Sequence, residues 1–334
     1  MELTGFLRDY PIPAGTQEQI VKCLWDVAKY EPLASYFEYY TEQCRIALYA
    51  QGLQKFAKTH QHILDIASHL QNGSSRQVLK QHLALHHHGE NPLETENMCD
   101  ALIDLAVRLI LMLDVGELRN AFSGRRRLVW VDGSLQEFVR DIFSDKISLN
   151  HDGVRFGAPF TARNLDRITG FRVELTTNLA DHLRLRSENK IVSVFHHASF
   201  LRCQQKNTMF PDGFIEETLW TLALLFPQGD RDTEKWYYKQ DRPEELDLGV
   251  LDCGILRDDY RQIEKYKFWH DRLVILKGAF DECQPQTFSQ LWNDRREGTQ
   301  WYALWVAIGI TLFFGLIQSI EGAVQVYKAY HPSP

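Results

Sequence analysis

Apolar side chains recur at helical spacing through the first part of the chain, so residues 17–88 are predicted to be helical. A polar turn at residues 72–75 breaks this pattern, and another helix follows it. Residues 98–118 are apolar on nearly all sides, which predicts a central buried helix, and Asp104 and Arg108 stand four residues apart within it. We expect these two side chains to form an ion pair along the helix. The clearest apolar stripe before the turn is Leu53, Phe56, Ala57, His60, Ile63, Leu64, Ala67 and Leu70.

The middle of the chain changes character. Ser134 and Glu137 have the spacing of a capping box and predict the start of a short helix. A second helix is expected over residues 161–169, ended by Gly170, and the alternating segments 171–175 and 190–195 predict strands. The order helix, helix, strand, turn, strand predicts a small winged-helix-like α+β module.

The end of the chain has a different pattern again. No charged residue occurs over residues 301–317, and the helix is expected to continue to about residue 326. Roughly 20 apolar residues cross a bilayer, so this segment predicts a transmembrane helix. Aromatic residues at both ends suit the two membrane interfaces. The alternative is a helix buried in the protein core. The interfacial aromatics are Trp301, Tyr302, Trp305, Tyr327 and Tyr330.

Flanking charge predicts the orientation of this span. Arg295 and Arg296 precede it, whereas Lys328 is the only Lys or Arg after it. The positive-inside bias therefore places the N-terminal part in the cytosol. The first residues do not read as a secretory signal peptide, so we expect a tail anchor inserted after translation.

One face of the predicted span carries small and polar residues at three- and four-residue steps. Small residues allow close backbone approach, and amide side chains can hydrogen-bond between helices. This face predicts self-association or a protein partner within the lipid bilayer. The alternative is that the second half of the helix is more polar because it leaves the membrane. The face comprises Thr311, Gly315, Gln318, Ser319, Gly322 and Gln325.

Composition adds an argument against nucleic acid. The 334 residues include 37 Lys and Arg against 44 Asp and Glu, a net charge of -7. The mean hydropathy of -0.32 is that of a chain whose larger part is soluble. An acidic chain of this kind lacks the overall basic field of a nucleic-acid-binding protein. The middle module nevertheless has a local arginine excess, which keeps DNA binding as a less favoured alternative. These arginines are Arg125, Arg126, Arg127, Arg155, Arg163, Arg167, Arg172, Arg184 and Arg186.

Reactive motifs are scarce in the sequence. It contains no phosphate-binding glycine loop, nucleophile elbow or HExxH pair, and its six cysteines form no CxxC pair. His82 and His86 have a zinc-binding spacing but lack accompanying ligands, so we predict no metal site and no cofactor. His182, His196 and His197 are the remaining candidates for an enzyme site. A pocket that joins one of them to a carboxylate would favour an enzyme.

Several stretches resemble a family of uncharacterised proteins from filamentous fungi. They are NLADHLRL (178–185), VFHHASFL (194–201), WHDRLVILKGAFDE (269–282), LWNDRREGTQWYALWVAI (291–308) and FFGLIQSIEGAVQVYKAY (313–330). The resemblance covers roughly residues 125–330. It implies a cytoplasmic globular region with one C-terminal membrane helix, and it supplies no catalytic residues.

Together these patterns predict a mainly α fold with a small winged-helix-like α+β module and one C-terminal transmembrane helix. We expect a membrane-anchored cytosolic interaction or scaffold protein without recognisable catalytic chemistry. An enzyme with an unfamiliar site near His182, His196 and His197 is the alternative. The expected organisation is a helical region (1–120), the α+β module (121–205), a second helical region (206–297), the transmembrane helix (298–327) and a short tail (328–334).

Overall fold

The computed structural model describes most of the chain with several gaps. The described residues are 7, 10–27, 32–50, 52–53, 57–86, 92–116, 128–144, 147–149, 153–186, 190–240, 245–283, 292 and 298–330. The arginines at 125–127, 295 and 296 lie outside this set, and so do His87 and His88.

The described residues of the N-terminal part are mainly helical, as the apolar spacing predicts, and they form five helices. The central buried helix is confirmed, because its residues Leu102 to Leu111 pack against α2, α3 and α4. Buried residues from Leu7 to Phe280 join into one hydrophobic cluster. The five helices are α1 (Ala14–Trp25), α2 (Ala34–Ala50), α3 (His60–Gln71), α4 (Arg76–His86) and α5 (Pro92–Leu111).

Asp104 and Arg108 do not form the predicted ion pair. Asp104 Oδ1 instead accepts a hydrogen bond from Arg76 Nη1 of α4 at 2.7 Å. Arg108 is fully buried and donates from Nη1 to the Val115 carbonyl at 2.9 Å. The packing of α4 on α5 brings Arg76 to Asp104, and this tertiary contact replaces the local pair.

The predicted α+β module contains the short helices α6 (Leu135–Ile142) and α7 (Ala162–Thr169) and a three-stranded mixed sheet. The capping box of Ser134 and Glu137 is confirmed. The strands are β1 (Arg172–Thr176), β2 (Arg184–Arg186) and β3 (Ile191–Phe195).

Strand β3 lies at the centre of this sheet. It pairs in parallel with β1, Val192 facing Val173, and antiparallel with β2, Val192 facing Leu185. The two predicted strands are therefore neighbours that run in the same direction. Strand β2 was not predicted, because three half-buried residues are too few to show alternation.

Within the described residues, four α-helices lie between the sheet and the C-terminal segment: α8 (Ala198–Gln204), α9 (Phe214–Leu225), α10 (Arg231–Tyr237) and α11 (His270–Glu282). The charged composition of residues 229–247 predicts an exposed loop, yet this stretch contains α10, which Asp230 caps. The apolar spacing of residues 260–281 predicts one long amphipathic helix, but α11 begins only at His270. The Glu217 carboxylate explains this late start, since it accepts the backbone N–H groups of Lys267, Phe268 and Trp269.

The last described element is α12 (Gly298–Tyr330), a single helix of 33 residues. Its segment Trp301–Tyr327 is long and apolar enough to cross a membrane, and none of its most apolar part is buried against the rest of the protein. A mainly helical fold with a small mixed sheet and one apolar C-terminal helix is thus confirmed.

Candidate functional site

Helix α12 exposes a large apolar surface among the described residues. Leu312, Phe313 and Leu316 each expose more than half of their surface, and similar exposure recurs around the helix. Contiguous exposed apolar surface of this extent marks contact with lipid or with another protein. The core-helix alternative is wrong, because a core helix would be covered by the rest of the chain.

The hydroxyl groups of Thr311 and Ser319 are satisfied within this helix. Thr311 Oγ1 donates to the Ala307 carbonyl and Ser319 Oγ to the Gly315 carbonyl, each at 2.8 Å. This internal bonding is what a helix needs in an environment without water.

The predicted packing face is open along its whole length. A side-chain carbon built on Gly315 or Gly322 would meet no atom within 4 Å. No described residue covers the face, so a second helix could approach it closely. All six residues predicted for the face are exposed: Thr311, Gly315, Gln318, Ser319, Gly322 and Gln325.

A cluster of tryptophans lies where α12 begins. Trp292 contacts Trp301 and Trp305, with ring centroids 5.7 and 4.5 Å apart, and Trp301 Nε1 donates to the Trp292 carbonyl. Aromatic groups of this kind favour the headgroup level of a bilayer. Arg295 and Arg296, which are predicted to determine the topology, lie outside the described residues.

His182 belongs to a buried network and not to a cavity. Its Nδ1 accepts the Phe195 N–H at 3.1 Å, so its Nε2 carries the proton and donates to Thr221 Oγ1 at 2.6 Å. The ring packs edge-on against Trp269, with centroids 4.8 Å apart. Burial, followed by the Arg272 charge, lowers the pKa of His182 well below its usual value. These contacts give it a structural role.

His196 and His197 follow β3, and their rings lie 4.3 Å apart. The two nitrogens of His196 face the carbonyl oxygens of Thr176 and Glu245 at 3.2 and 3.1 Å. His197 Nδ1 lies 3.4 Å from Ser35 Oγ, and its Nε2 has no hydrogen-bond partner among the described residues. Burial lowers the pKa of both imidazoles.

A groove of about 780 Å³ with a mixed polar and apolar lining lies beside α2. Of the three candidate histidines His182, His196 and His197, the lining of this groove includes His197 alone. Sequence reasoning missed the groove-lining residues of α2, although the stretch Phe37-Glu38-Tyr39-Tyr40-Thr41-Glu42 is rich in Tyr and Glu. The groove is lined by Leu7, Tyr10, Ser35, Glu38, Tyr39, Thr41, Glu42, Gln43, Arg45, Leu48, Tyr49, Thr177, His197 and Glu245.

The remaining sequence candidates are separate from the groove. Within the described ranges no group of three or more His, Cys, Asp or Glu residues could hold a metal ion. His82 stacks near His69, with ring centroids 5.2 Å apart. On α7, Arg163 pairs with Asp232 at 3.5 Å, whereas Arg167, four residues later on the same side of the helix, is exposed.

Comparisons with protein-family models, curated proteins and solved structures give no match. The fungal family resemblance therefore stays a prediction from the motifs, and the argument for function depends on the chain itself.

Proposed function

We propose that this protein is a single-pass membrane protein whose N-terminal body faces the cytosol and acts as an interaction or scaffold module. The observation that carries the proposal is α12, whose apolar surface has no cover within the described residues. Burying one large apolar side chain is worth on the order of 1.5–3 kcal/mol. A bilayer covers the whole circumference of α12, whereas a groove on a soluble partner would cover one side.

Orientation follows from the charges at the two ends of the helix. Arg295 and Arg296 on the N-terminal side outweigh Lys328 on the other, which supports a cytosolic body. A glycosylation acceptor tag appended after Pro334 tests this orientation in microsomes. Modification of the tag is expected, because the tail would face the lumen. If the protein is inserted but the tag is unmodified and the body is protected from protease, the orientation is the opposite of the one proposed.

The packing face supports a second copy of the chain as the membrane partner. Gly315 and Ser319 form a small-xxx-small pair, and Gln318 and Gln325 can hydrogen-bond across the contact. Gly309 provides a matched control, since a side-chain carbon there also meets no atom within 4 Å but the residue lies on the opposite side of the helix.

Energy transfer between two labelled copies in liposomes measures this association. We expect Gly315→Ile to weaken it about tenfold, on the order of 1.4 kcal/mol, and Gly309→Ile to leave it within about twofold. Equal association of the two variants would exclude this face, and absence of transfer in the unaltered protein would exclude self-association.

An enzyme is the second candidate, and one observation favours it. The Ser35 hydroxyl lies 3.4 Å from the His197 imidazole in the α2 groove. The carboxylates of Glu38 and Glu245 line the same groove. In this case Ser35 would be the nucleophile and His197 the base. A fluorophosphonate probe tests it, because the Ser35 oxygen would bond to phosphorus and release fluoride. Labelling that Ser35→Ala abolishes and Ser74→Ala retains would support the enzyme; an unlabelled protein would exclude this serine as a nucleophile.

A further inference from the structure

Two exposed histidines from consecutive helices lie side by side on the surface of the N-terminal part. His69 belongs to the last turn of α3 and His82 to the second half of α4. Their ring centroids are 5.2 Å apart, and the ring planes are inclined by 47°. Both residues are exposed to solvent. The fold thus brings to His82 an imidazole from another helix, which the sequence spacing alone does not show.

The backbone that carries the two rings is held by the fold. A short turn over residues 72–75 joins the helices, and in it the Ser74 N–H donates to the His69 carbonyl at 3.1 Å. Both helices pack on α5, and Arg76 at the start of α4 forms an ion pair with Asp104 of α5 at 2.7 Å. The two rings therefore project from regular helices, which position a ligand more precisely than a loop does.

The separation of the rings is that of two imidazoles bound to one zinc ion. Zn–N bonds of about 2.0–2.1 Å place each ring centroid about 3.2 Å from the metal, and at the tetrahedral angle the two centroids are then about 5 Å apart. The observed 5.2 Å agrees with this value. The χ2 torsion of histidine is broad, so these exposed rings can turn a nitrogen toward a shared ion at small cost.

The donor set favours a transition-metal ion of the zinc type. Imidazole nitrogen suits zinc, whereas magnesium and calcium prefer oxygen ligands. Asp65, one turn before His69, accepts a hydrogen bond from Gln61 Nε2 at 2.7 Å. Within the part of the chain that the structure describes, no set of three or more His, Cys, Asp or Glu residues could hold a metal. Two imidazoles would therefore be the protein ligands, and water would complete the coordination.

We propose that His69 and His82 chelate one Zn²⁺ ion, which links α3 to α4. The ion would bind the folded chain more tightly than the unfolded chain, because only the fold holds the two rings together. Zinc would therefore stabilise the folded N-terminal helices by mass action. The inference goes beyond the proposed function and does not depend on α12.

Competition with a chromogenic zinc chelator measures the zinc Kd of the full-length chain in a non-ionic detergent. We expect His69→Ala and His82→Ala each to weaken the Kd about tenfold, because either one leaves a single imidazole. His62→Ala is the matched control and is expected to keep the Kd within about twofold. His62 is exposed on the same helix as His69, and its Nδ1 lies 2.7 Å from Thr59 Oγ1. Absence of zinc binding, or one Kd for all three variants, would overturn the proposal.

Thermal unfolding of the same proteins gives a second readout. Without metal, the midpoints of the three variants are expected to agree within about 2 °C, since all three positions are exposed. Zinc chloride is expected to raise the midpoint of the unaltered protein and of His62→Ala, but not that of His69→Ala or His82→Ala. Calcium chloride at the same concentration is expected to leave every midpoint unchanged. A zinc-induced rise that persists in both single variants, or an equal rise with calcium, would overturn the site.

Discussion

His182 Nε2 lies 2.6 Å from the Thr221 hydroxyl, which itself donates to the Thr218 carbonyl at 2.6 Å. The other ring nitrogen accepts the Phe195 N–H. The imidazole therefore links the end of β3 to the middle of α9, and it does so in its neutral form. A proton added to Nδ1 would break the bond from Phe195.

Acid is expected to destabilise the protein through three of its buried histidines, His182, His196 and His197. Burial lowers the pKa values of His182, His196 and His197 in the folded state, whereas the unfolded chain takes up protons near pH 6.5. Their contribution is therefore present above pH 6.5 and is lost as the pH falls below it. Each histidine contributes a slope of up to about 1.4 kcal/mol per pH unit. Glu217 acts in the opposite direction, because burial raises its pKa.

Urea unfolding followed by tryptophan fluorescence between pH 7.5 and pH 5.5 measures this slope. His197→Asn is expected to flatten the slope by about 1 kcal/mol per pH unit. His62→Gln, at an exposed position on α3, is expected to leave it unchanged. A stability independent of pH over this range would contradict the assignment of three neutral buried imidazoles.

Glu217 organises the start of α11. The residue is 3% exposed, and its carboxylate accepts three backbone N–H groups at 2.8–2.9 Å. Glu217→Leu would leave three donors without this partner, and we expect a loss of about 3 kcal/mol in the free energy of unfolding. The neighbouring substitution Glu216→Leu, on the exposed side of α9, is expected to change stability by less than about 0.5 kcal/mol. Similar losses for both variants would refute the role of Glu217.

The two buried arginines are expected to respond differently to the same substitution. Arg76→Met removes the ion-pair partner of Asp104 and one of the two partners of Asp100, which Lys80 also contacts, so a loss of about 3 kcal/mol is expected. Arg108→Met removes one hydrogen bond to Val115 and a buried charge whose Nε and Nη2 have no partner among the described residues. We expect Arg108→Met to remain within about 1 kcal/mol of the unaltered protein. Chemical denaturation of both variants checks this, and a larger loss for Arg108→Met would contradict it.

Gly116 lies against the side chain of Asp104. Its φ is +89°, and an added Cβ would lie 2.6 Å from Asp104 Cγ. Gly73 has a similar φ of +81° but open space around it. Gly116→Ala is therefore expected to cost about 3 kcal/mol and Gly73→Ala about 1 kcal/mol, since only the first adds a clash to the backbone strain. Equal midpoints in thermal unfolding would show that Asp104 can move aside.

Local and periodic features could be predicted from the sequence. The apolar run of α12, the buried helix α5 and the capping box of Ser134 depend on nearby residues, and all three are confirmed. Features that depend on distant contacts could not be predicted. The ion pair of Asp104 joins two helices, and the late start of α11 depends on Glu217, about fifty residues earlier. The α2 groove was missed for the same reason, because His197 meets Ser35 only through the tertiary fold.

Alkaline carbonate extraction tests the central claim, that α12 anchors the protein in a membrane. Membranes from cells that produce the full-length chain are compared with those from cells that produce a chain lacking residues 299–334. We predict that the full-length protein stays in the membrane pellet and that the truncated chain moves to the supernatant, since α12 supplies the apolar span. Extraction of the full-length protein into the supernatant would contradict the anchor.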